Sequence, residues 1–269
     1  MARKREAKQK ESRASIWLLL ILLLFFAAVC AVAAVKILQV QQERAVGSEV
    51  YAELAETLVV MPPETEGASE IEADEGEEPA EQKPLVDFAA LQAISSQGVG
   101  WIMSDDRIIN YPVMQGTDNT YYLTHLADGT YNGNGSIFVD YRNAGDFSDR
   151  NTIVYGHNMR NGTMFASLSR YSDWNYRSQH PELTLITPEG SFSLQVFAGC
   201  VVPGNSELYQ LVFRSDEEFL MYLEKVRIMS EFSDDVQVRA EDKIVTLSTC
   251  SYNYDDARYL LFCKAVPMQ

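Results

Sequence analysis

A run of twenty uncharged and mostly apolar residues, 16–35, lies near the start of the chain and limits what that part can become. A helix of this length rises about 30 Å, which is the thickness of the hydrocarbon core of a bilayer. Residues 1–15 carry six bases and two acids, so they are expected to stay in the cytoplasm. We therefore predict a basic cytoplasmic tail over 1–15, a single-pass transmembrane helix over 16–35 in the plasma membrane, and an extracellular remainder.

The same apolar run also has the features of a cleaved signal peptide. Residues 31–33 read Ala-Val-Ala, which suits a signal peptidase site. The run is, however, longer than the usual apolar region of a signal peptide, which is about 7–15 residues. Its length therefore favours a retained anchor.

Acidic residues dominate the next segment, 36–84, which holds three bases and thirteen acids. Such a segment is too poor in apolar residues to form a core, so we predict an acidic, disordered stalk that holds a folded domain off the membrane. The whole chain has a formal net charge of −16. This charge argues against nucleic acid as a partner, because phosphate binding needs clustered Lys and Arg.

From residue 85 to residue 269 the composition is that of a folded domain, and short apolar runs alternate with turn residues. This pattern predicts a mainly β fold, either a barrel or a sandwich, with helical additions. A short helix capped by Asp87 is expected first, and Ser215 with Glu218 forms a capping box that opens a helix over 215–229. The expected strands are 108–115, 136–142, 152–157, 182–187, 191–202, 236–240, 243–250 and 258–266.

The expected strand 243–250 ends in Cys250, where a thiol can face solvent while the strand fixes its position. A cysteine attacks as the thiolate, and a free thiol with a pKa of about 8.5 needs a nearby base or cation at neutral pH. His157 closes another expected strand, in the sequence Tyr-Gly-His-Asn. Arg258 follows Cys250 by eight residues, a spacing that suits a loop returning the guanidinium beside the thiol.

Each of these residues, taken alone, has an ordinary structural interpretation. Cys200 and Cys263 lie in apolar, strand-like stretches and are expected as buried thiols. His125 and His180 are expected as structural or surface residues. The cysteines and histidines show no spacing typical of a metal site.

Taken together, the residues resemble a sortase. Thr-Leu-Ser-Thr-Cys at 246–250, Tyr-Gly-His-Asn upstream and Arg258 downstream follow the order of that family. The resemblance covers about 85 to 269, and it implies an eight-stranded β-barrel with an N-terminal helix and a helix in the long connection before the last two strands. It departs at 95–97, where Ser-Ser-Gln replaces an Asn-Pro-Asp turn, and at Ser251, where some members have an acid. The stretches similar to class B sortases in particular are 111–116, 118–123, 135–142 and 155–168.

The resemblance implies a membrane-anchored cysteine transpeptidase. It would cleave the C-terminal sorting signal of secreted surface proteins after Thr and transfer them, through a Cys thioester, to a cell-wall amine. Cys250 would be the nucleophile, His157 the general acid and base, and Arg258 the group that holds the substrate or the oxyanion. No metal ion or organic cofactor is implied. The residues expected to line the groove for the sorting peptide are Asn119, Leu123, Tyr155 and Ser248.

Several alternatives stay open on the sequence alone. A pilin-polymerising sortase would use a Lys side chain of a pilin as acceptor, and a plain cysteine peptidase would pass the thioester to water. A non-catalytic, membrane-tethered binding module on the same fold would need no reactive thiol. Asp255 and Asp256 are candidates for orienting His157 or Arg258, although a solvated loop is the more ordinary interpretation.

Overall fold

The computed structural model describes residues 2–60 and 85–268, in which four helices and ten strands follow one another along the chain. Three short 3₁₀-helices lie between them, at Tyr121–Leu123, Ala166–Ser172 and Glu207–Tyr209. The helices are α1 Ala2–Leu58, α2 Phe88–Ile94, α3 Trp174–Gln179 and α4 Asp216–Met229. The strands are β1 Val59–Val60, β2 Leu85–Val86, β3 Gly98–Ser104, β4 Asn110–Met114, β5 Ile137–Val139, β6 Asn151–Tyr155, β7 Glu182–Thr187, β8 Gly190–Pro203, β9 Lys243–Cys250 and β10 Ala257–Pro267.

Strands β3 to β10 form a closed barrel in the order β10-β8-β7-β3-β4-β5-β6-β9. Neighbouring strands are antiparallel except for two parallel pairs, β4 with β5 and β6 with β9. The expected eight-stranded, mainly β barrel is therefore confirmed. The expected helices before the barrel and before its last two strands are present as α2 and α4.

The last two strands are buried along most of their length, 244–249 in β9 and 259–263 in β10, because both of their faces are covered. Val245 and Leu247 point to the cluster inside the barrel, whereas Ile244 belongs to a second cluster outside it. Residues Leu260 and Phe262 of β10 join that second cluster, which lies under α4. A strand covered on both faces has no exposed side, which explains why apolar residues occur on both faces of these two strands.

Helix α4 begins as the capping box predicts. The Ser215 hydroxyl accepts a hydrogen bond from the Glu218 amide at 3.2 Å, and this bond satisfies one of the free N–H groups of the first turn. The buried face of the helix packs on the outer side of the barrel. Its buried residues are Phe219, Tyr222, Leu223 and Val226.

The expected strand over 236–240 is wrong, since this segment has no regular structure. Val236 and Val238 both pack against the second cluster, outside the barrel. Two apolar residues separated by one residue give the alternation that is typical of a strand. Two main-chain carbonyls of this segment accept hydrogen bonds from side chains instead of from a neighbouring strand. Val236 accepts from the Arg227 guanidinium, and Gln237 accepts from the Lys264 ammonium.

The expected disordered stalk over 36–84 is wrong for residues 36–58, because α1 continues through them to Leu58. Contacts divide the chain into units 1–46 and 47–269, so the folded domain begins at Gly47 instead of residue 85. Tyr51 and Leu58 are buried, with exposures of 2% and 3%. Apolar side chains at this helical spacing bury one face of the helix, whatever the net charge of the segment. The rest of the expected stalk, 61–84, lies outside the described residues.

The unit 1–46 is the first part of α1, and its apolar side chains from Trp17 onward are largely exposed. The helix from Trp17 to Leu58 includes an 18-residue window with a mean hydropathy of 3.2. By length and composition it is a candidate membrane span.

The two ends of segment 61–84 are joined to each other. Val59 pairs with Val86 and Val60 pairs with Leu85 in the two-stranded ladder of β1 and β2. The Asp87 amide also donates to the Leu58 carbonyl at 2.9 Å. The chain therefore leaves the described fold after Val60 and enters it again at Leu85, which lies beside Val60.

Replacing residues 61–84 with a four-residue turn should raise the free energy of unfolding. If the segment is a loop closed by β1 and β2, shortening it lowers the loop-closure entropy cost by about 1.5 kcal/mol. Chemical denaturation of the full chain in detergent measures this change. A Gly/Ser segment of the original length is the control, with stability expected within about 0.5 kcal/mol of the wild type. A tether outside the fold would give no gain on shortening, so an unchanged midpoint would contradict the loop.

Candidate active site

A cleft of about 340 Å³ opens where the ends of β6 and β9 meet the start of β10. Because β6 and β9 are parallel, with Tyr155 beside Ser248, both carboxyl ends lie at the same rim of the barrel. The structure brings all seven residues expected at the site into the lining of this cleft: Cys250, His157, Arg258, Asn119, Leu123, Tyr155 and Ser248. The lining residues that the sequence did not indicate are Phe138, Gly156, Gly204, Tyr209 and Thr249.

Cys250 ends β9 and stands directly opposite Arg258 of β10 in the antiparallel register. The Cβ atoms of residues paired in this way are about 4.5–5.5 Å apart. The Cys250 side chain is partly buried, so the strand fixes it while the cleft leaves it open to a ligand. The pairing places a permanent positive charge next to a potential nucleophile.

His157 is held by a tight turn after β6. The Gly156 amide donates to the Ser248 carbonyl at 3.0 Å, and the Thr249 hydroxyl donates to the Gly156 carbonyl at 2.8 Å. A Cβ atom on Gly156 would lie 2.5 Å from the Ile137 side chain, so only glycine fits here without a shift. These contacts anchor the turn that carries the imidazole to the strand that carries the thiol.

The imidazole itself is oriented by a main-chain group. Nε2 of His157 donates to the Leu123 carbonyl oxygen at 2.7 Å, since a carbonyl only accepts. This bond places a proton on Nε2 and leaves Nδ1 as the second functional nitrogen. Leu123, expected in the peptide groove, thus also orients His157 through its backbone.

Asn158 connects the histidine turn to the nucleophile. Its side-chain amide donates to the Cys250 carbonyl at 2.8 Å, and its own carbonyl accepts from the Tyr252 hydroxyl at 3.0 Å. Tyr252 lies in the loop between Cys250 and Arg258. The loop between β9 and β10 is therefore hydrogen-bonded to Asn158, which directly follows His157.

Arg258 forms an ion pair with Asp256, with 2.9 Å between Nη2 and Oδ1. Its Nη1 also donates to the Ala257 carbonyl at 3.1 Å. Asp256 adopts a positive φ of 59°, and its carbonyl accepts from the Gly204 amide at 2.9 Å. Of the two loop aspartates, Asp256 is thus the one that meets Arg258.

Asp140 is a fully buried carboxylate behind the cleft that sequence reasoning missed. It accepts hydrogen bonds from Asn119 at 2.9 Å, from Tyr155 at 3.0 Å and from two nitrogens of Arg142 at 2.7 and 2.9 Å. Burial opposes ionisation, but these hydrogen bonds outweigh it and hold the pKa of Asp140 below its usual value. One carboxylate therefore fixes two of the expected groove residues, and its signal in the sequence was an acid directly after a buried strand.

Tyr209 adds an aromatic wall that the sequence did not indicate. Its ring stacks on Tyr155, with 6.1 Å between centroids, and its hydroxyl lies 2.8 Å from the Ser248 hydroxyl. Burial raises the pKa of Tyr209 to about 12, so the ring stays neutral. Phe138 extends the row on the other side of Tyr155, at 5.4 Å. Tyr209, Tyr155 and Phe138 therefore form a row of neutral aromatic rings in the lining of the cleft.

The remaining cysteines and histidines differ from the cleft residues in their surroundings. Cys200 and Cys263 are buried free thiols, as expected, and burial raises the pKa of Cys200 to about 12 and that of Cys263 as well. His125 stacks on Tyr121, with 4.0 Å between ring centroids. His180 lies 3.6 Å from a carboxylate oxygen of Asp106.

Several known proteins are similar to this chain in sequence and in structure. A family model described as the sortase domain matches residues 104–266. The chain is 36% identical to sortase B of Listeria monocytogenes over 178 residues, which are 65% of this chain and 72% of that protein. It is similar to the solved structure of sortase B from Bacillus anthracis, with a TM-score of 0.71, 33% identity, and 85% and 100% of the two chains covered. It is also similar to a sortase B–substrate complex from Staphylococcus aureus, with a TM-score of 0.65, 31% identity, and coverage of 68% and 85%.

Proposed function

The chain belongs to class B of the sortase family, which are cysteine transpeptidases, and we propose that it cleaves the sorting signal of secreted surface proteins and joins them to a cell-wall amine. The observation that carries the proposal is the single cleft in which Cys250, His157 and Arg258 meet. The three residues come from the ends of three strands. Because strands are rigid, they can hold the three side chains in their reactive arrangement before the substrate binds.

In the first half of the reaction, the Cys250 thiolate attacks the carbonyl carbon of the Thr in the sorting signal. A tetrahedral oxyanion forms, and its collapse breaks the peptide bond after Thr. Protonated His157 gives a proton to the leaving amine, and Nδ1 is the nitrogen that does so because Leu123 engages Nε2. A thioester between Cys250 and the Thr carbonyl remains.

In the second half, an acceptor amine attacks the thioester carbonyl. Nδ1 of His157 takes the proton of the attacking amine, and the Cys250 thiolate departs. A new amide bond then links the surface protein to the acceptor, and the enzyme is regenerated. No proton or electron is left over, so the cycle needs no cofactor.

Arg258 stabilises the negative charge of the cycle. Its guanidinium favours the thiolate of Cys250 across the strand pair and donates to the developing oxyanion. The ion pair with Asp256 limits where the guanidinium points before the substrate binds. Asn119, Leu123, Tyr155 and Ser248 hold the peptide, with Asp140 fixing the first and third of them.

The apolar helix supports a location at the plasma membrane. Residues 16–35 span the plasma membrane once, the basic tail over 1–15 stays in the cytoplasm, and the catalytic domain is extracellular. The substrates arrive at the same surface, because secreted proteins and cell-wall precursors are both exported across this membrane. The partners are therefore a sorting-signal peptide and an amine on a cell-wall precursor.

The test is mass spectrometry of the full chain in detergent, incubated with a panel of sorting-signal peptides and then with an amine. We expect one peptide to leave its N-terminal part on Cys250, and the added amine to release it as an amide. A thioester released only by water would indicate a peptidase. Release by a pilin Lys side chain, but not by a cell-wall peptide, would indicate a pilin-polymerising sortase. An inert Cys250 would indicate a binding module.

A further inference from the structure

We propose that Tyr51, near the end of α1, is a positioning residue that sets the place of His157 in the cleft. The proposal rests on the proposed function, because it concerns the group that moves the proton. Tyr51 lies outside the cleft lining, and two independent chains of contacts run from its side chain to the histidine turn. One passes through the hydroxyl and the other through the ring.

The hydroxyl of Tyr51 is buried and fully engaged. It donates to the Gly135 carbonyl at 2.7 Å and lies 2.8 Å from the Ser136 hydroxyl. Burial raises the pKa of Tyr51, so the group remains a donor throughout the neutral range. The end of α1 is thereby fixed to residues 135 and 136.

Residues 135 and 136 in turn fix the carbonyl that orients the imidazole. The Ser136 amide donates to the Tyr122 carbonyl at 2.8 Å. Gly135 has a positive φ of 60° and approaches so closely that a Cβ there would lie 2.8 Å from the Leu123 carbonyl oxygen. That oxygen accepts the hydrogen bond from Nε2 of His157. A shift of Gly135 therefore moves the acceptor of the imidazole.

The ring of Tyr51 supports the other side of the same turn. It packs edge-on against Tyr111, with 5.4 Å between centroids and 87° between planes. The Tyr111 hydroxyl accepts from the Met164 amide at 3.0 Å, and Met164 forms a β-bridge with Asn158. Asn158 directly follows His157. The turn is thus held from both sides by elements that meet at Tyr51.

Met164, which pairs with Asn158 of the histidine turn, borders an open groove. This groove of about 410 Å³ is lined on one side by Tyr51 and Ala52 and on the other by Thr163 and Met164, so Met164 has room to shift if the support from Tyr51 is lost. A well-packed core would resist such a shift, whereas a groove open to water does not. The contacts of Tyr51 are therefore expected to affect the position of His157 as well as the stability of the fold.

The first variant is Tyr51→Phe, which keeps the ring and removes the hydroxyl. We expect kcat for peptide cleavage to fall between about threefold and tenfold, because small displacements of a catalytic group are costly to the rate. KM should stay within about twofold, since the variant changes none of the side chains that line the peptide groove. Leu58→Ala is the matched control, because Leu58 is buried on the same helix but packs in a separate cluster. It should lower the melting temperature more than Tyr51→Phe does and leave kcat unchanged.

A double-mutant cycle with Ser136→Ala tests whether the hydroxyl acts through residues 135 and 136. The effects of Tyr51→Phe and Ser136→Ala on kcat should be less than additive, because both disturb one contact. A Tyr51→Phe enzyme with reduced melting temperature but wild-type kcat would overturn the proposal. A change in KM alone would overturn it as well.

A measurement without peptide separates this proposal from the proposed function. The alkylation rate of Cys250 by iodoacetamide, followed by mass mapping, reports the thiolate that His157 and Arg258 support. It should fall by at least about threefold in Tyr51→Phe and stay unchanged in Leu58→Ala. If the wild type forms no thioester with any peptide, the proposed function fails while this comparison still decides the role of Tyr51. Equal rates in the wild type and Tyr51→Phe would remove that role.

Discussion

Replacing Cys250 with alanine should abolish thioester formation and lower turnover of a sorting peptide by at least about 10⁴-fold, because loss of a covalent nucleophile removes the reaction path itself. The cleft would keep its peptide-binding residues, so the variant should still bind the peptide. Single-turnover mass spectrometry measures the thioester, and fluorescence anisotropy of a labelled peptide measures binding. The fold should be retained, since the side chain is only partly buried.

The matched control is Cys30→Ala, which removes an exposed thiol from α1. Its turnover should equal that of the wild type. Retention of more than a hundredth of the activity in Cys250→Ala would place the nucleophile elsewhere. Cys200 and Cys263 are poor alternatives, because burial keeps both as thiols at neutral pH.

Replacing Arg258 with lysine should lower kcat by about 10²–10³-fold, which is the usual effect of losing one well-placed donor to an oxyanion. Lysine keeps the charge opposite Cys250 but loses the planar fork that contacts Asp256 and the Ala257 carbonyl. The alkylation rate of Cys250, which reports its thiolate, should therefore fall less than kcat does. Stopped-flow kinetics of peptide cleavage gives kcat, and iodoacetamide alkylation gives the reactivity of Cys250.

Arg239→Lys is the control for a general effect of this substitution, because Arg239 lies at the surface with a side-chain exposure of 75%. It should not change kcat. If Arg258→Lys keeps a third or more of wild-type turnover, the charge alone suffices and the fork has no role in the transition state. If alkylation and turnover fall together, Arg258 acts mainly on the thiolate.

The meeting of Cys250, His157 and Arg258 in one cleft was predictable because the signals for it are local. Cys250 and Arg258 are separated by one short polar loop between two apolar strands, so an antiparallel pair brings them together. The strand ending in His157 carries its own turn signal in Gly156. The parallel pairing of β6 with β9 was not visible in the sequence, because it joins segments about ninety residues apart and no local pattern encodes which strands meet.

The supporting residues were missed for the same physical reason. Asp140 is hydrogen-bonded to Asn119 and Tyr155, and Tyr51 to Gly135, and all three bonds join segments that are distant in the sequence. The helical structure of residues 36–58 was missed because the acidic composition of this segment predicts disorder. Tyr51, Leu54 and Leu58 repeat at helical spacing within it, and that apolar face determines its structure more than the net charge does.

The pairing of β1 with β2 has a consequence for how the protein responds to a cut in its chain. A protease that cuts between residues 61 and 84 breaks the chain but not the ladder, nor the packing of Leu58 against Leu91 and Trp101. The two fragments should therefore remain associated after such a cut. Their separation would expose a buried cluster to water, which is costly in free energy. Cleavage between residues 61 and 84 should thus leave residues 85–268 attached to α1.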